Sequence, residues 1–331
     1  MPDRLWQRGM ACDSGQCRLC GATLGQRHFW PEVYANSGQQ LRRCGYCAGV
    51  YLAPGFTEQG LDEFYAERYR QLFPAEIPWL SLERFFSWRG DRTVAQQRLQ
   101  LIAPQLAHGD GLFELGSGFG AFLGAASAQR PDLRLLASEP DVSHRDALLE
   151  GAQVHFVAGL DSLEAESLEA LVAFHTLEHV TDPLATLDLA ARALRPDGQL
   201  WLEVPDLFGN WTSRLFVHPA HLSYFCQESL RNLVQAAGFE VLSCGAHPLP
   251  SMHGNLWLHA RRPATLLQRP LHAEREQTIA AIDTRIMRVD WRLRDSLKAL
   301  AKRTAIRLLG AGAVGEWQRW RHRYSGGESQ K

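Results

Sequence analysis

Three things are missing from this 331-residue chain, and each narrows its class. No apolar run approaches the ~18 residues that a membrane span requires, so no spanning helix is expected. Residues 1–8 hold no apolar stretch of the kind a secretory signal carries, which makes a cytoplasmic location the expectation. An excess of positive charge is missing as well. The 35 Lys/Arg meet 36 Asp/Glu for a net charge of −1, which argues against a generic nucleic-acid binder. The balance is uneven along the chain: from Arg261 onward there are sixteen Lys/Arg against seven Asp/Glu. An acidic body therefore carries a basic tail. Seven cysteines in a cytosolic chain do not read as a disulfide framework either.

What is present centres on Leu112-Phe113-Glu114-Leu115-Gly116-Ser117-Gly118-Phe119-Gly120. A short apolar run ends in an acid, three glycines follow at alternate positions, and a helical pattern begins. This is a strand feeding a helix through a turn that lets a ligand approach the backbone. From Gly111 strand and helix then alternate. Strands are expected at 111–115, 133–138, 154–157, 168–174 and 199–204, with helices at 119–129, 183–194 and 227–237 between them. The second strand ends at Glu139, twenty-five residues after Glu114, where a carboxylate can accept from both ribose hydroxyls of a nucleoside ligand. The last strands, 239–244 and 255–260, are joined by a short connection with Pro248 and Pro250. No helix fits there, so this pair is expected to be an antiparallel hairpin. A dinucleotide dehydrogenase would instead repeat the strand–helix–strand unit.

Ahead of this pattern stand Cys17-Arg-Leu-Cys20 and Cys44-Gly-Tyr-Cys47. Two such pairs, about two dozen residues apart, have the spacing of a tetrahedral four-cysteine zinc site. Four sulfurs leave no open position, so the zinc would be structural; free or redox cysteines are the alternative. Cys12 is a weaker candidate, and Cys226 and Cys244 lie in apolar patterns and read as core. Residues 61–72 carry Phe64, Tyr65 and Tyr69 at helical spacing, and a second helix is expected over 82–106; these aromatics form either a lid or a helix packed on the sheet edge. After Pro270 an amphipathic pattern runs over 271–309 with Ile279, Ile282 and Ile286 on its apolar side. Such a basic helix lies on a membrane surface, pairs with itself, or docks on its own domain. Gly310-Ala-Gly312-Ala-Val-Gly315 also satisfies GxGxxG, but too few residues follow for the second strand and acid that give that box its mechanism. Four parts are therefore expected: a zinc-binding segment 1–55, a helical linker or lid 56–108, an α/β domain 109–262 and a basic helical tail 263–331.

The glycine loop, Glu139, His175-Thr-Leu-Glu178-His179, Leu194-Arg-Pro-Asp-Gly198 and Ala236-Ala-Gly-Phe239 together resemble the class I S-adenosylmethionine-dependent methyltransferases. The resemblance runs in order over about 111–261 and implies a seven-stranded Rossmann-like sheet with an antiparallel last hairpin. With the cysteine pairs ahead of it, the chain is similar to the zinc-containing methyltransferases of sugar and polysaccharide biosynthesis, including those that methylate carbon on nucleotide-linked keto-sugars. The resemblance implies that Glu114, Gly116, Ser117, Gly118 and Gly120 contact the methionine part of the cofactor. It implies that Glu139 takes the ribose, that Asp161 flanks the adenine, and that Phe174 and His175 close the site. It places His179 and His221 near the substrate as catalytic residues. In those enzymes a tyrosine and a glutamate stand where this chain has His218 and Ala220, so both O- and C-methylation stay open. They also carry a second large α/β domain, whereas this chain stops just after a stretch that resembles that domain's opening.

Methyl transfer from a sulfonium is an in-line displacement, so the protein mainly aligns nucleophile, methyl and sulfur. An alcohol or carbon acid also needs a base, and histidine suits that role. The alternative for either His is a helix cap or a bond to backbone. The competing readings are a zinc-stabilised, non-catalytic binding or scaffold protein and an NAD-dependent enzyme. A nucleic-acid methyltransferase is disfavoured, because no Asp/Asn-Pro-Pro-Tyr motif stands at 175–178.

Overall fold

The computed structural model describes residues 11–12, 14–23, 25–29, 39–65, 90–142, 145–149, 151–209, 216–217, 219–266, 269–287 and 304. The expectations for Tyr69, the start of the 82–106 helix, His218, the tail beyond 287 and the 310–315 glycine box lie outside these residues.

The centre is a seven-stranded mixed sheet. Its strands are β6 (Gly111–Leu115), β7 (Arg134–Ser138), β8 (Val154–Phe156), β9 (Leu168–Phe174), β10 (Leu194–Pro205), β12 (Glu240–Ala246) and β13 (Asn255–Arg261), in the order β12-β13-β10-β9-β6-β7-β8. β8, β7, β6, β9 and β10 run parallel, and β13 is antiparallel to both β10 and β12. This is the α/β sheet with an antiparallel last hairpin that the sequence led us to expect. A single short 3₁₀ turn, Pro250–Met252, lies between the last two strands.

Alternation along the central strands gives the sheet two apolar faces. Phe113, Leu171, Ala173 and Leu202 pack against Leu187 and Ala190 of α4 (Pro183–Ala193) and Leu230 and Leu233 of α5 (Gln227–Ala236). Leu112, Val172 and Trp201 pack on the other face against Leu99 and Ile102 of α2 (Asp91–Ile102) and Phe122 and Leu123 of α3 (Ala121–Gln129). α2 ends at Ile102 rather than 106, because Pro104 has no N–H to continue the helix; residues Ala103–Gln105 form a 3₁₀ turn instead. The strand order reverses between β6 and β9, and the crevice at their carboxyl ends is where open sheets of this kind bind ligands.

The cysteine-bearing segment builds a second sheet from β2 (Arg27–Phe29), β3 (Gln40–Arg43) and β4 (Val50–Ala53). Its fourth strand, β11 (Ser223–Tyr224), comes from the loop after β10, with Ser223 opposite Tyr51 and Tyr224 opposite Val50. β1 (Ala11–Cys12) pairs with β5 (Gly55–Phe56), and α1 (Glu58–Glu63) follows, capped by the Thr57 hydroxyl, which accepts from Gly60 N–H.

The tail begins as extended chain, with Leu271 buried in the core, and becomes helical only at α6 (Glu276–Met287). Over these residues the helix docks on its own domain. Ile282 and Ile286 are buried against Phe29, Leu41, Leu52 and Tyr224. Asp283 accepts from Arg27 at 2.6 Å and from Arg43 at 2.6 and 3.0 Å. Among the described residues no helix is long and apolar enough to cross a membrane.

Candidate active site

The glycine loop turns at the end of β6 with Gly116, Gly118 and Gly120 at φ 70°, 55° and 79°. A side chain at Gly116 would strike the Thr176 hydroxyl, and one at Gly120 would strike Leu149; at Gly118 nothing lies within 4 Å, so there the backbone faces open space. Across the loop, the Glu139 carboxylate accepts from Gly118 N–H at 2.7 Å and from Asp141 N–H at 2.9 Å. Gly116 N–H donates to Ser138 O at 2.9 Å, and the Thr176 hydroxyl donates to Leu115 O at 2.9 Å. The ends of β6, β7 and β9 are thus laced together. Glu114 is buried, and its Oε2 has no hydrogen-bond partner. Burial pushes its carboxyl well above the usual carboxylate range; Arg98 opposes this and Glu139 adds to it.

After β9 the chain enters a polar knot. His175 sits at φ 55°, held there by its N–H donating to Glu203 O at 2.8 Å. Its Nδ1 lies 3.2 Å from Glu178 Oε1 and its Nε2 lies 3.1 Å from Glu203 Oε1. Burial would lower its pKa, but the two carboxylates outweigh that and lift it to about 9. Glu203 is fully buried in β10 and takes Arg98 Nε at 2.8 Å, with His247 Nε2 at 3.4 Å. Burial works to raise Glu203, yet His175, His247 and Arg98 together hold it far below the usual range. Asn255 donates to the same carboxylate at 2.7 Å. Phe174 is buried beneath this knot, stacked on Trp257 with centroids 5.8 Å apart and with the Arg98 guanidinium 4.6 Å from its own.

His179 and His221 meet above, with ring centroids 4.9 Å apart. His179 Nδ1 lies 2.8 Å from Ala220 O and 3.0 Å from the Tyr65 hydroxyl. His221 Nδ1 lies 2.8 Å from Phe216 O. Burial lowers the pKa of both, and His221 is pushed down further by His179. The two segments are joined by backbone, since Leu222 N–H and Ser223 N–H both donate to Glu178 O, at 2.8 and 3.1 Å.

Cys17, Cys20, Cys44 and Cys47 form one cluster whose sulfurs all lie within 4.8 Å of one another. Cys17–Cys47 and Cys20–Cys44 are each 3.7 Å apart, and all four are free thiols. Sulfurs ~2.3 Å from a tetrahedral zinc stand about 3.8 Å from each other, so the donor set fits that ion.

Residues 87–244 match a family described as "Methyltransferase domain". The match covers just under half of the chain. No curated protein matches the sequence. Among solved structures, a Haloferax volcanii methyltransferase complexed with the Trm112 activator is similar, at 17% identity and a TM-score of 0.43, covering 54% of this chain and 93% of that one. A possible histamine N-methyltransferase from Thermotoga maritima is similar at 22% identity and a TM-score of 0.41, with 54% and 93% covered. An S-adenosylmethionine-dependent methyltransferase from Methanosarcina mazei is similar at 16% identity and a TM-score of 0.42, with 50% and 98% covered.

Within the matched residues, the structure brings Glu114, Gly116, Ser117, Gly118, Gly120 and Glu139 to one end of the sheet with His175, Thr176 and Glu178. Asp161 is exposed in the 3₁₀ turn Leu160–Ser162 after β8, and its carbonyl accepts from Arg192 at 3.0 Å. Arg98, Glu203, His247 and Asn255 went unread in the sequence. Glu203 had a signal: a lone acid in the apolar run Leu200-Trp-Leu-Glu203-Val needs a buried partner.

Proposed function

We propose that this chain transfers a methyl group from S-adenosylmethionine to a small-molecule acceptor, a sugar or glycan precursor, at oxygen or carbon. The observation that carries the reading is the Glu139 carboxylate clasped by Gly118 N–H beside a loop that faces open space, at the same strand ends that lead to His179 and His221. The sugar assignment is supported by the cysteine pairs ahead of a methyltransferase domain, through the resemblance they carry.

In this reading Glu139 takes the ribose hydroxyls, and the loop around Gly118 takes the methionine end. The orphaned Glu114 oxygen suits an ammonium there. Bound in this place, the cofactor supplies an electrophilic methyl on a sulfonium. The chain's own residues exclude water, fix the acceptor and manage its proton. His179 and His221 are suited to that last task, because burial keeps their imidazoles neutral near pH 7. Cys17, Cys20, Cys44 and Cys47 hold a structural zinc that steadies β2–β4.

Calorimetry with S-adenosylmethionine tests the first half. Glu139→Ala is expected to weaken binding at least about tenfold, as loss of a charge-assisted contact implies. Wild-type affinity in that variant would remove the ribose assignment. Turnover on a panel of nucleotide sugars tests the second half. His221→Ala is expected to lower kcat by about 10²–10⁴. Cofactor binding with no turnover on any sugar would favour the non-catalytic binding protein.

A further inference from the structure

Beside the cofactor crevice, side chains from two distant segments turn their ligating atoms to one point. Glu178 and His179 follow β9, and His221 comes from the loop before β11. One ligand atom from each lies within 4.8 Å of the other two, and Glu178 Oε1 is 3.8 Å from His179 Nε2. Glu178 is 1% exposed, and its Oε2 has no hydrogen-bond partner. An acceptor left so in the interior costs free energy until something positive meets it.

The histidines are already set for that partner. Ala220 O and Phe216 O each stand 2.8 Å from an Nδ1. A carbonyl only accepts, so each Nδ1 carries the proton and each Nε2 carries the lone pair. A ring nitrogen donating to a backbone carbonyl is the support that metal-binding histidines ordinarily have. Glu178 has the same kind of support from His175, at 3.2 Å. The result is two imidazole lone pairs and a carboxylate converging in one partly buried place. The backbone bonds from Leu222 and Ser223 to Glu178 O hold the two segments together before any ligand arrives.

We propose that Glu178, His179 and His221 bind a divalent transition-metal cation of the zinc type, leaving at least one coordination position for an oxygen of the acceptor. Two imidazoles and one carboxylate suit zinc, iron(II) or manganese(II) better than magnesium, which prefers oxygen ligands. Ligands of a tetrahedral zinc stand about 3.3 Å apart, so the Glu178–His179 separation needs to close by about half an ångström. The site is chemically distinct from the four-cysteine cluster, which has only sulfur donors and no open position. A hydroxyl on such a cation becomes more acidic, so the histidines would serve the acceptor through the cation rather than by taking its proton themselves. This role rests on the methyl-transfer reading; cation binding does not.

The test is a Co(II) titration of the full chain, with the four-cysteine site left as purified. One further equivalent is expected. It should give visible d–d absorption without the near-ultraviolet charge-transfer band of thiolate ligands. Glu178→Gln and His221→Ala should each weaken it about 10- to 100-fold, while S-adenosylmethionine binding in the same samples shows that the fold is intact. If His221→Ala does not fold, His179→Gln replaces it. No additional equivalent, or equal affinity in all variants, overturns the proposal. Binding that depends on these residues but accompanies no methylation keeps the cation site and removes the proposed function. Methylation by metal-stripped protein at an undiminished rate leaves the proposed function and removes the cation's role.

Discussion

The carboxyl of Glu114 ends a central strand with one oxygen unpartnered, and burial raises its pKa in the folded chain. The folded state therefore holds that proton more tightly than the unfolded chain does. That stability is present below the ordinary carboxylate pKa and fades as pH rises through the raised folded value. Glu114→Gln keeps the shape and removes the charge. Without cofactor, thermal melting should show it equal to wild type near pH 4 and more stable near pH 8. A wild-type advantage at pH 8 would mean that Arg98 outweighs burial. Glu114 and Glu139 were legible because each closes a short apolar run, at a spacing with a mechanism. The knot of Arg98, Glu203, His247 and Asn255 was not, because its members come from four separate segments and their pairing is purely spatial. Tyr65 lay between these cases: its helical spacing offered lid or packing, and the contact with His179 Nδ1 places it at the site.

Among the elements, the terminal hairpin was readable from length alone, since nothing helical fits between residues 244 and 255. α6 was not. A repeat of apolar positions says that a helix has a face to bury and does not say against what. The answer came from Asp283, paired with Arg27 and Arg43 of the cysteine-bearing sheet, and from Ile282, fully buried. Ile282→Ala should cost about 2–5 kcal/mol in urea denaturation. A loss under about 1 kcal/mol would mean that the helix is only loosely seated. The amphipathic pattern also overran its start. Leu271 is apolar in register, but the core takes it as extended chain.

For the molecule as a whole, the cysteine segment is joined to the loop that carries His221 through β4 and β11. With the proposed zinc on the four sulfurs, a chelator strong enough to strip it should therefore loosen more than the first fifty residues. Hydrogen exchange is expected to speed at Val50–Ala53 and Ser223–Tyr224 together, while Leu168–Phe174 stays protected. Faster exchange confined to the N-terminal strands would mean that β11 is held by its own domain. The sequence separated these regions cleanly, because pattern reading works along the chain and β11, at two residues, is too short to leave a pattern.

That pairing also sets an order of events during synthesis. β4 leaves the ribosome about 170 residues before its partner β11. Until then one edge of the early sheet waits uncovered, an open edge of the kind on which chains aggregate. The two residues that complete it directly follow His221 and Leu222. The nascent chain thus closes this early sheet only when the loop of the candidate acceptor site has been made, so the early edge and the late loop reach their final form in one step.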